Sequence, residues 1–153
     1  MILSFCMAFL CGGMIAQTGK TVTIRVLDGK TGKPLLASGY LVRIDHEQTV
    51  HANWVVENED GSGKLTLPAT ASLFSIRATY DGSTQTYINC DSSTKSALPV
   101  DRWYSISEVL ASGIVAPNGC GKSQDAAKIK PVAKPGEFVF LVRRMSTQEQ
   151  WRE

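Results

Sequence analysis

The stretch 116–123, APNGCGKS, contains residue types that could bind a phosphate. It is one residue short of the Gly-x-x-x-x-Gly-Lys-Ser loop, in which backbone amides and a lysine hold nucleotide phosphates. Such a loop follows a buried parallel strand and opens a long helix. Here Ala116 replaces the first glycine, and Pro131 would end any following helix. We therefore predict no nucleotide site and interpret the octet as a loop that carries Cys120.

Cysteines and histidines offer a disulfide or a zinc site. Two of the four cysteines lie in the first eleven residues, which leaves Cys90 and Cys120 for the body of the protein. In an exported protein this pair is expected to form a disulfide. Zinc would need His46 and His51 as the other two ligands, but no pair of these residues has the close spacing of zinc motifs. We predict the disulfide and no metal or other cofactor.

The acidic segment 57–63, ENEDGSG, could supply oxygen ligands for calcium. Its spacing departs from that of calcium loops, and Asp-Gly is a turn dipeptide. We predict a hairpin turn.

Acid–base chemistry has one candidate segment, in which Asp45, His46 and Glu47 are adjacent. Adjacency alone does not orient a base toward a nucleophile, and the chain has no Gly-x-Ser-x-Gly motif. We predict no catalytic residue.

Four aromatic residues could form a stacking surface for a sugar or a peptide, because their rings combine a large contact area with a polar tip. They are Trp54, Tyr87, Trp103 and Tyr104. Packing in or beside the core is the alternative use of each ring, and we expect it to be the commoner one. The sequence therefore predicts no specific ligand-binding residue.

The first 16 residues form an uncharged apolar run that is typical of a secretory signal peptide, with cleavage near Ala16. No basic residue precedes the run, which departs from the usual pattern. A membrane span needs about 20 apolar residues, so we expect none in the mature chain. We predict export to the periplasm or the extracellular space.

Length and charge limit the domain organisation and the partners. The chain has 153 residues, of which 16 are basic and 14 acidic, and these charges are spread along the sequence. One domain of this size can bury an ordinary core, and no basic stripe is present to bind nucleic acid. We predict one domain over 20–144 and a polar tail over 145–153.

Short β-favouring runs separated by turn residues predict an all-β fold. Ser105 and Glu108 match a helix capping box, and Gly113 suits a helix end, which predicts one short helix over 105–113. The last run, EFVFLVRR, predicts a well-buried strand. Segment 91–100 is expected to be a polar loop, and segment 122–136 is expected to be an exposed excursion. The seven predicted strands are 21–27, 39–45, 49–57, 64–67, 72–80, 85–90 and 137–144. Asp81-Gly82-Ser83 is predicted to close a hairpin between the runs 72–80 and 85–90.

The stretch 22–35, VTIRVLDGKTGKPL, resembles the first strand and loop of carboxypeptidase regulatory-like and Cna-B-like domains. Further similarity lies in Asn58-Glu59-Asp60-Gly61 and in the Leu67-Pro68 step. The resemblance covers about 22–80 and implies an antiparallel transthyretin-like (prealbumin, immunoglobulin-like) sandwich. Domains of that family are non-catalytic accessory, adhesive or spacer modules of exported bacterial proteins.

One enzyme with the same sandwich, the transthyretin-like hydroxyisourate hydrolase, has a histidine where this chain has Arg25. It ends in Tyr-Arg-Gly-Ser, whereas this chain ends in Gln-Trp-Arg-Glu. Both differences argue against that activity. We predict a binding or structural module of the cell envelope, with a protein, peptide or carbohydrate as its partner. A small secreted hydrolase on the same scaffold is the alternative.

Overall fold

The computed structural model describes residues 19–36, 39–78, 80–81, 84–85, 87–91, 101–120 and 130–150. The predicted signal peptide, Lys122 of the octet and Trp151 lie outside these residues. The described chain contains eleven strands and two short helices. In chain order they are β1 (Lys20–Asp28), β2 (Gly39–Ile44), β3 (Ala52–Val55), β4 (Ser62–Leu67), β5 (Leu73–Ala78), β6 (Tyr80–Asp81), β7 (Thr84–Gln85), β8 (Tyr87–Asn89), β9 (Tyr104–Ser105), α1 (Ile106–Ser112), β10 (Ile114–Val115), β11 (Glu137–Arg144) and α2 (Thr147–Gln150).

Two sheets form a sandwich-like arrangement, which confirms the predicted β-sandwich at this coarse level. One sheet, called here the mixed sheet, has the order β10-β11-β1-β4, with β8 also paired to β11. The other, called the antiparallel sheet, has the order β3-β2-β5-β9. The strand count exceeds the predicted seven mainly because several strands have only two residues.

The prediction of a wholly antiparallel sandwich is wrong for the mixed sheet. β11 pairs in parallel with β1, which places Val26 opposite Phe140, and β10 also pairs in parallel with β11. β1 itself pairs antiparallel with β4. Parallel neighbours require a crossover in the chain. Here the connection is the whole chain between β1 and β11, so no local sequence pattern indicates that these two strands pair in parallel.

The core explains why β1 alternates in polarity while β11 does not. In β1, Val22, Ile24 and Val26 are buried, whereas Thr23 and Arg25 point away from the core. In β11, all five residues from Phe138 to Val142 are buried. A central strand with both faces covered needs such a continuous apolar run. The outer face of the mixed sheet is therefore partly covered by other chain segments.

Aromatic rings fill the space between the two sheets. Phe138 lies in edge contact with Phe74, with ring centroids 5.0 Å apart, and also contacts Tyr104 at 4.5 Å. Tyr40 contacts Phe140 and Trp54 at 6.1 and 5.5 Å. Edge and tilted contacts of this kind add to the free energy gained by burial. The sandwich is thus held by rings from both sheets.

Two predicted turns have different outcomes. The Asp81-Gly82-Ser83 hairpin is confirmed in its backbone pairing, because β6 and β7 pair antiparallel across a two-residue connection. The acidic segment 57–63 was predicted to be a hairpin turn, but here the chain passes from β3 of the antiparallel sheet to β4 of the mixed sheet. In that turn the amides of Glu57 and Asn58 both donate to the Ser62 carbonyl oxygen.

Helix α1 begins and ends as its sequence predicts. The Ser105 hydroxyl accepts a hydrogen bond from the Glu108 amide, and the Gly113 amide donates to the Val109 carbonyl. Gly113 has φ of 77°, and a Cβ there would lie 2.3 Å from the Lys134 carbonyl oxygen, so both its backbone conformation and its packing require glycine. Within the predicted polar tail, Met145 is buried and α2 follows it.

A side chain joins the two sheets at β8. The Asn89 amide donates to the Ile76 carbonyl and accepts from the Ala78 amide, both of which belong to β5. β8 is itself paired with β11. Asn89 therefore links the mixed sheet to the antiparallel sheet.

Candidate functional site

The outer face of the mixed sheet carries a loop fixed by a disulfide. Cys90, directly after β8, is bonded to Cys120, in agreement with the sequence-based expectation. The Gly119 amide donates to the Cys90 carbonyl over 2.7 Å, and the Asn118 side chain donates to the Gly29 carbonyl over 2.8 Å. A Cβ at Gly29 would lie 2.4 Å from the Cys90 sulfur, so only glycine fits under the disulfide. Loop 116–120 is thus held to the ends of β1 and β8.

The geometry of this loop argues against phosphate binding by the APNGCGKS octet. A phosphate loop needs free backbone amides that converge on the ligand. Here the amides of Ala116 and Gly119 donate to backbone carbonyls, and the Cys120 amide donates to the Asn118 side chain. β10, which precedes the loop, is a parallel strand, but these amides are already used within the protein. The described part of the octet serves to position the disulfide.

An open cleft of about 360 Å³ lies on the same outer face of the mixed sheet. Leu27 and Pro34 supply apolar surface, and four charged side chains surround it. Its full lining is Arg25, Leu27, Gly32, Pro34, Asp60, Lys134 and Glu137. These residues come from β1, from the start of β11 and from the segments that follow β1 and precede β4 and β11. Of the features in the described residues, this cleft is our candidate functional site.

The charged groups on one wall of the cleft are paired with each other. The Arg25 Nε donates to Glu137 Oε1 over 2.7 Å, and one terminal nitrogen of Arg25 donates to the Val132 carbonyl over 2.9 Å. The other Glu137 oxygen accepts from the Lys134 amide over 2.9 Å. Both side chains of the ion pair are largely buried, at 26% and 15% exposure. This network holds Arg25 in a fixed position on that wall of the cleft.

Asp60 is placed on the opposite wall by its own turn. Its Oδ1 accepts hydrogen bonds from the Ser62 hydroxyl and amide, at 2.6 and 3.0 Å. These bonds, with the nearby Arg25, lower the pKa of Asp60, so its carboxylate is charged at neutral pH. Glu57 accepts instead from the Lys64 amide. One carboxylate oxygen of Asp60 and one of Glu57 therefore accept hydrogen bonds from within this part of the chain.

The acid–base and zinc candidates have structural contacts of their own. Asp45 accepts from the amides of Leu73 and Ser72, which lower its pKa. The His46 ring lies in tilted contact with Trp103, with ring centroids 4.4 Å apart. His46 and His51 are both exposed, whereas Cys90 is buried in its disulfide. Within the described residues, no group of three or more histidine, cysteine or carboxylate side chains is arranged to hold a metal ion.

The four aromatic residues do not form one surface. Trp54 and Tyr104 are buried in the core, and Tyr87 is packed against it. Trp103 is half-buried on the antiparallel sheet. Nearby, Asp101 bridges Arg43 and Arg77 at 2.9 and 2.6 Å.

A buried polar pair was missed by the sequence analysis. The Tyr104 hydroxyl donates a short hydrogen bond to Asp91, next to the disulfide. Burial raises the pKa of Asp91, although the hydrogen bond from Tyr104 opposes this, and burial also raises the pKa of Tyr104. Asp91 was interpreted as the start of a polar loop. Nothing in its neighbouring residues indicated a buried partner 13 positions away.

Comparisons with protein-family models, curated proteins and solved structures find no match to this chain. Neither helix in the described part of the chain is long and apolar enough to cross a membrane.

Proposed function

We propose that this chain is an exported, non-catalytic binding module of the bacterial cell envelope, built on a transthyretin-like sandwich. The observation that carries the proposal is the outer face of the mixed sheet, where the Cys90–Cys120 disulfide fixes a loop beside an open, charged cleft. Disulfides persist in oxidising compartments, which supports export. Concave sites with a few convergent polar groups are typical of ligand binding.

The contacts of the charged side chains support binding over catalysis. A general base needs a free lone pair aimed at a substrate proton. Asp45 instead caps two backbone amides, and Glu137 accepts from Arg25 and the Lys134 amide. These carboxylates are occupied in positioning the chain.

Export is tested by expressing the full chain in a bacterium and recovering it from the exported fraction. Intact-mass measurement with and without reductant and alkylation reports both signal cleavage and the state of the two cysteines. We expect a chain shortened near Ala16 that gains two alkyl groups at Cys90 and Cys120 only after reduction. An intact N-terminus with both thiols free in the cytosol would refute export.

Binding is tested with the same purified protein on arrays of envelope peptides and glycans, followed by mass analysis of each captured ligand. We expect saturable binding that leaves the ligand chemically unchanged. Conversion of the ligand to a product would instead favour the secreted hydrolase.

A further inference from the structure

The cleft places opposite charges on its two sides. Its strands lie in the order β11-β1-β4, and Arg25 of β1 is opposite Ser62 of β4. Asp60 comes two residues before Ser62, whereas Lys134 comes three residues before β11 begins. Asp60 therefore lines the β4 side of the cleft and Lys134 lines the β11 side, where the Arg25 guanidinium is bonded to Glu137 and to the Val132 carbonyl.

Each side keeps hydrogen-bonding capacity for a ligand. Asp60 uses Oδ1 for Ser62, while its Oδ2 has no partner among the described residues. Over the same residues, the Lys134 ammonium and the second terminal nitrogen of Arg25 also have no partner. Leu27, only 4% exposed, supplies an apolar floor. The cleft thus offers one acceptor side, one donor side and a short apolar path between them.

The size and charge balance restrict the class of ligand. A volume of about 360 Å³ is near the lower end of small-molecule sites, which span roughly 300 to 1,000 Å³. The two cations and the two carboxylates of the lining cancel in net charge. A simple anion would leave the Asp60 carboxylate without a partner and would be repelled by it. A simple cation would be repelled by Arg25 and Lys134. A neutral ligand would leave the unpaired charges without partners.

We propose that the cleft binds a short zwitterionic peptide, with its ammonium at Asp60 and its carboxylate at Lys134 and Arg25. This inference rests on the proposed function and specifies its ligand class. A free dipeptide carries both charges at the ends of a short chain, which matches an acceptor side and a donor side on either flank of β1. Glu137 and the Val132 carbonyl hold Arg25 in place, so its second terminal nitrogen is a preorganised donor for the ligand carboxylate.

The test uses the full exported chain and alanyl-alanine, with binding followed by calorimetry and by NMR shifts. Asp60→Asn keeps the oxygen that accepts from Ser62 but removes the charge, and Lys134→Gln removes the ammonium. We expect each variant to bind about fivefold more weakly or worse, the effect of one partly exposed ion pair. Glu59→Gln and Lys130→Gln make the same charge changes at exposed neighbouring positions and should leave binding unchanged.

Capped peptides assign each charge to its side of the cleft. N-acetyl-alanyl-alanine should bind wild type as weakly as alanyl-alanine binds Asp60→Asn, and that variant should not weaken it further. Alanyl-alanine amide should show the same relation with Lys134→Gln. Urea unfolding checks that each variant is folded. If Asp60→Asn is unstable, the Lys134→Gln arm with the amide peptide decides alone.

Two results would overturn the proposal. One is the absence of binding at millimolar alanyl-alanine, and the other is binding that is equally strong for the doubly capped peptide. The proposed function and this site can fail independently. If a ligand found on the arrays binds wild type, Asp60→Asn and Lys134→Gln equally well, the protein is still a binding module, but the cleft is not its site.

Discussion

Removal of the Cys90–Cys120 disulfide should lower the stability of the fold by an amount that its place in the chain predicts. The two cysteines are 30 residues apart. In the chain-entropy model, closing a loop of that length stabilises the folded state by about 3.6 kcal/mol at 25 °C. Cys90 is buried and Cys120 is half-buried, so Cys90→Ala with Cys120→Ser removes the bond without placing a new hydroxyl in the core.

Urea unfolding followed by tryptophan fluorescence measures this effect. With a denaturant dependence of about 2 kcal/mol per molar urea, we expect the midpoint to fall by about 1.8 M. Reductant should shift the wild-type midpoint by a similar amount and leave the double variant unchanged, which makes the variant its own control. A shift below about 0.5 M, or about 1 kcal/mol, would show that this disulfide does not reduce the conformational entropy of the unfolded chain by the expected amount.

Three further predictions concern single side chains. Ser105→Ala should cost about 1 kcal/mol in urea unfolding because the Glu108 amide at the start of α1 loses its cap, whereas Ser105→Asp should retain most of the stability. The raised pKa of Asp91 means that the folded state binds this proton more tightly than the unfolded state. The stabilisation of the folded state by the Asp91 proton is therefore fully present below about pH 4 and is lost as the pH rises. Unfolding free energies measured from pH 4 to 7 should fall for wild type relative to Asp91→Asn, and an increase would contradict the assignment. Hydrogen bonds from Arg143 lower the pKa of Glu149 to about 2. Glu149 thus stabilises the fold above about pH 4 and loses this effect as the pH falls toward 2. Glu149→Gln should be less stable than wild type at pH 7, by a small amount because the side chain is 38% exposed, and equal to it near pH 2.

Local features of the fold could be predicted, because their causes are local. Five consecutive apolar residues made β11 a buried strand, and Ser105 and Gly113 marked the ends of α1. Cys90 and Cys120 were the remaining pair of cysteines once export was expected. Each of these inferences depends either on residues that are close in sequence or on the number of cysteines left after the predicted signal peptide.

Long-range pairing could not be predicted in the same way. The Arg25–Glu137 ion pair joins residues 112 positions apart, and it exists because β1 and β11 are parallel neighbours. Arg25 looked only like an outward residue of an alternating strand. The Asp60 turn was visible as Asp-Gly, but the sequence did not show that the following strand changes sheet. The cleft depends on all three facts, so no single motif indicated it.

The Asn89 link between the sheets also bears on self-association of the protein. β9 pairs with Leu73 and Phe74 at one edge of β5, and no strand among the described residues pairs with Ile76 and Ala78 on that edge. The Asn89 amide fills both positions as a neighbouring strand would. An open strand edge is a template for intermolecular pairing and fibril growth. One asparagine side chain therefore occupies two hydrogen-bonding positions of the β5 edge with which another chain could otherwise pair.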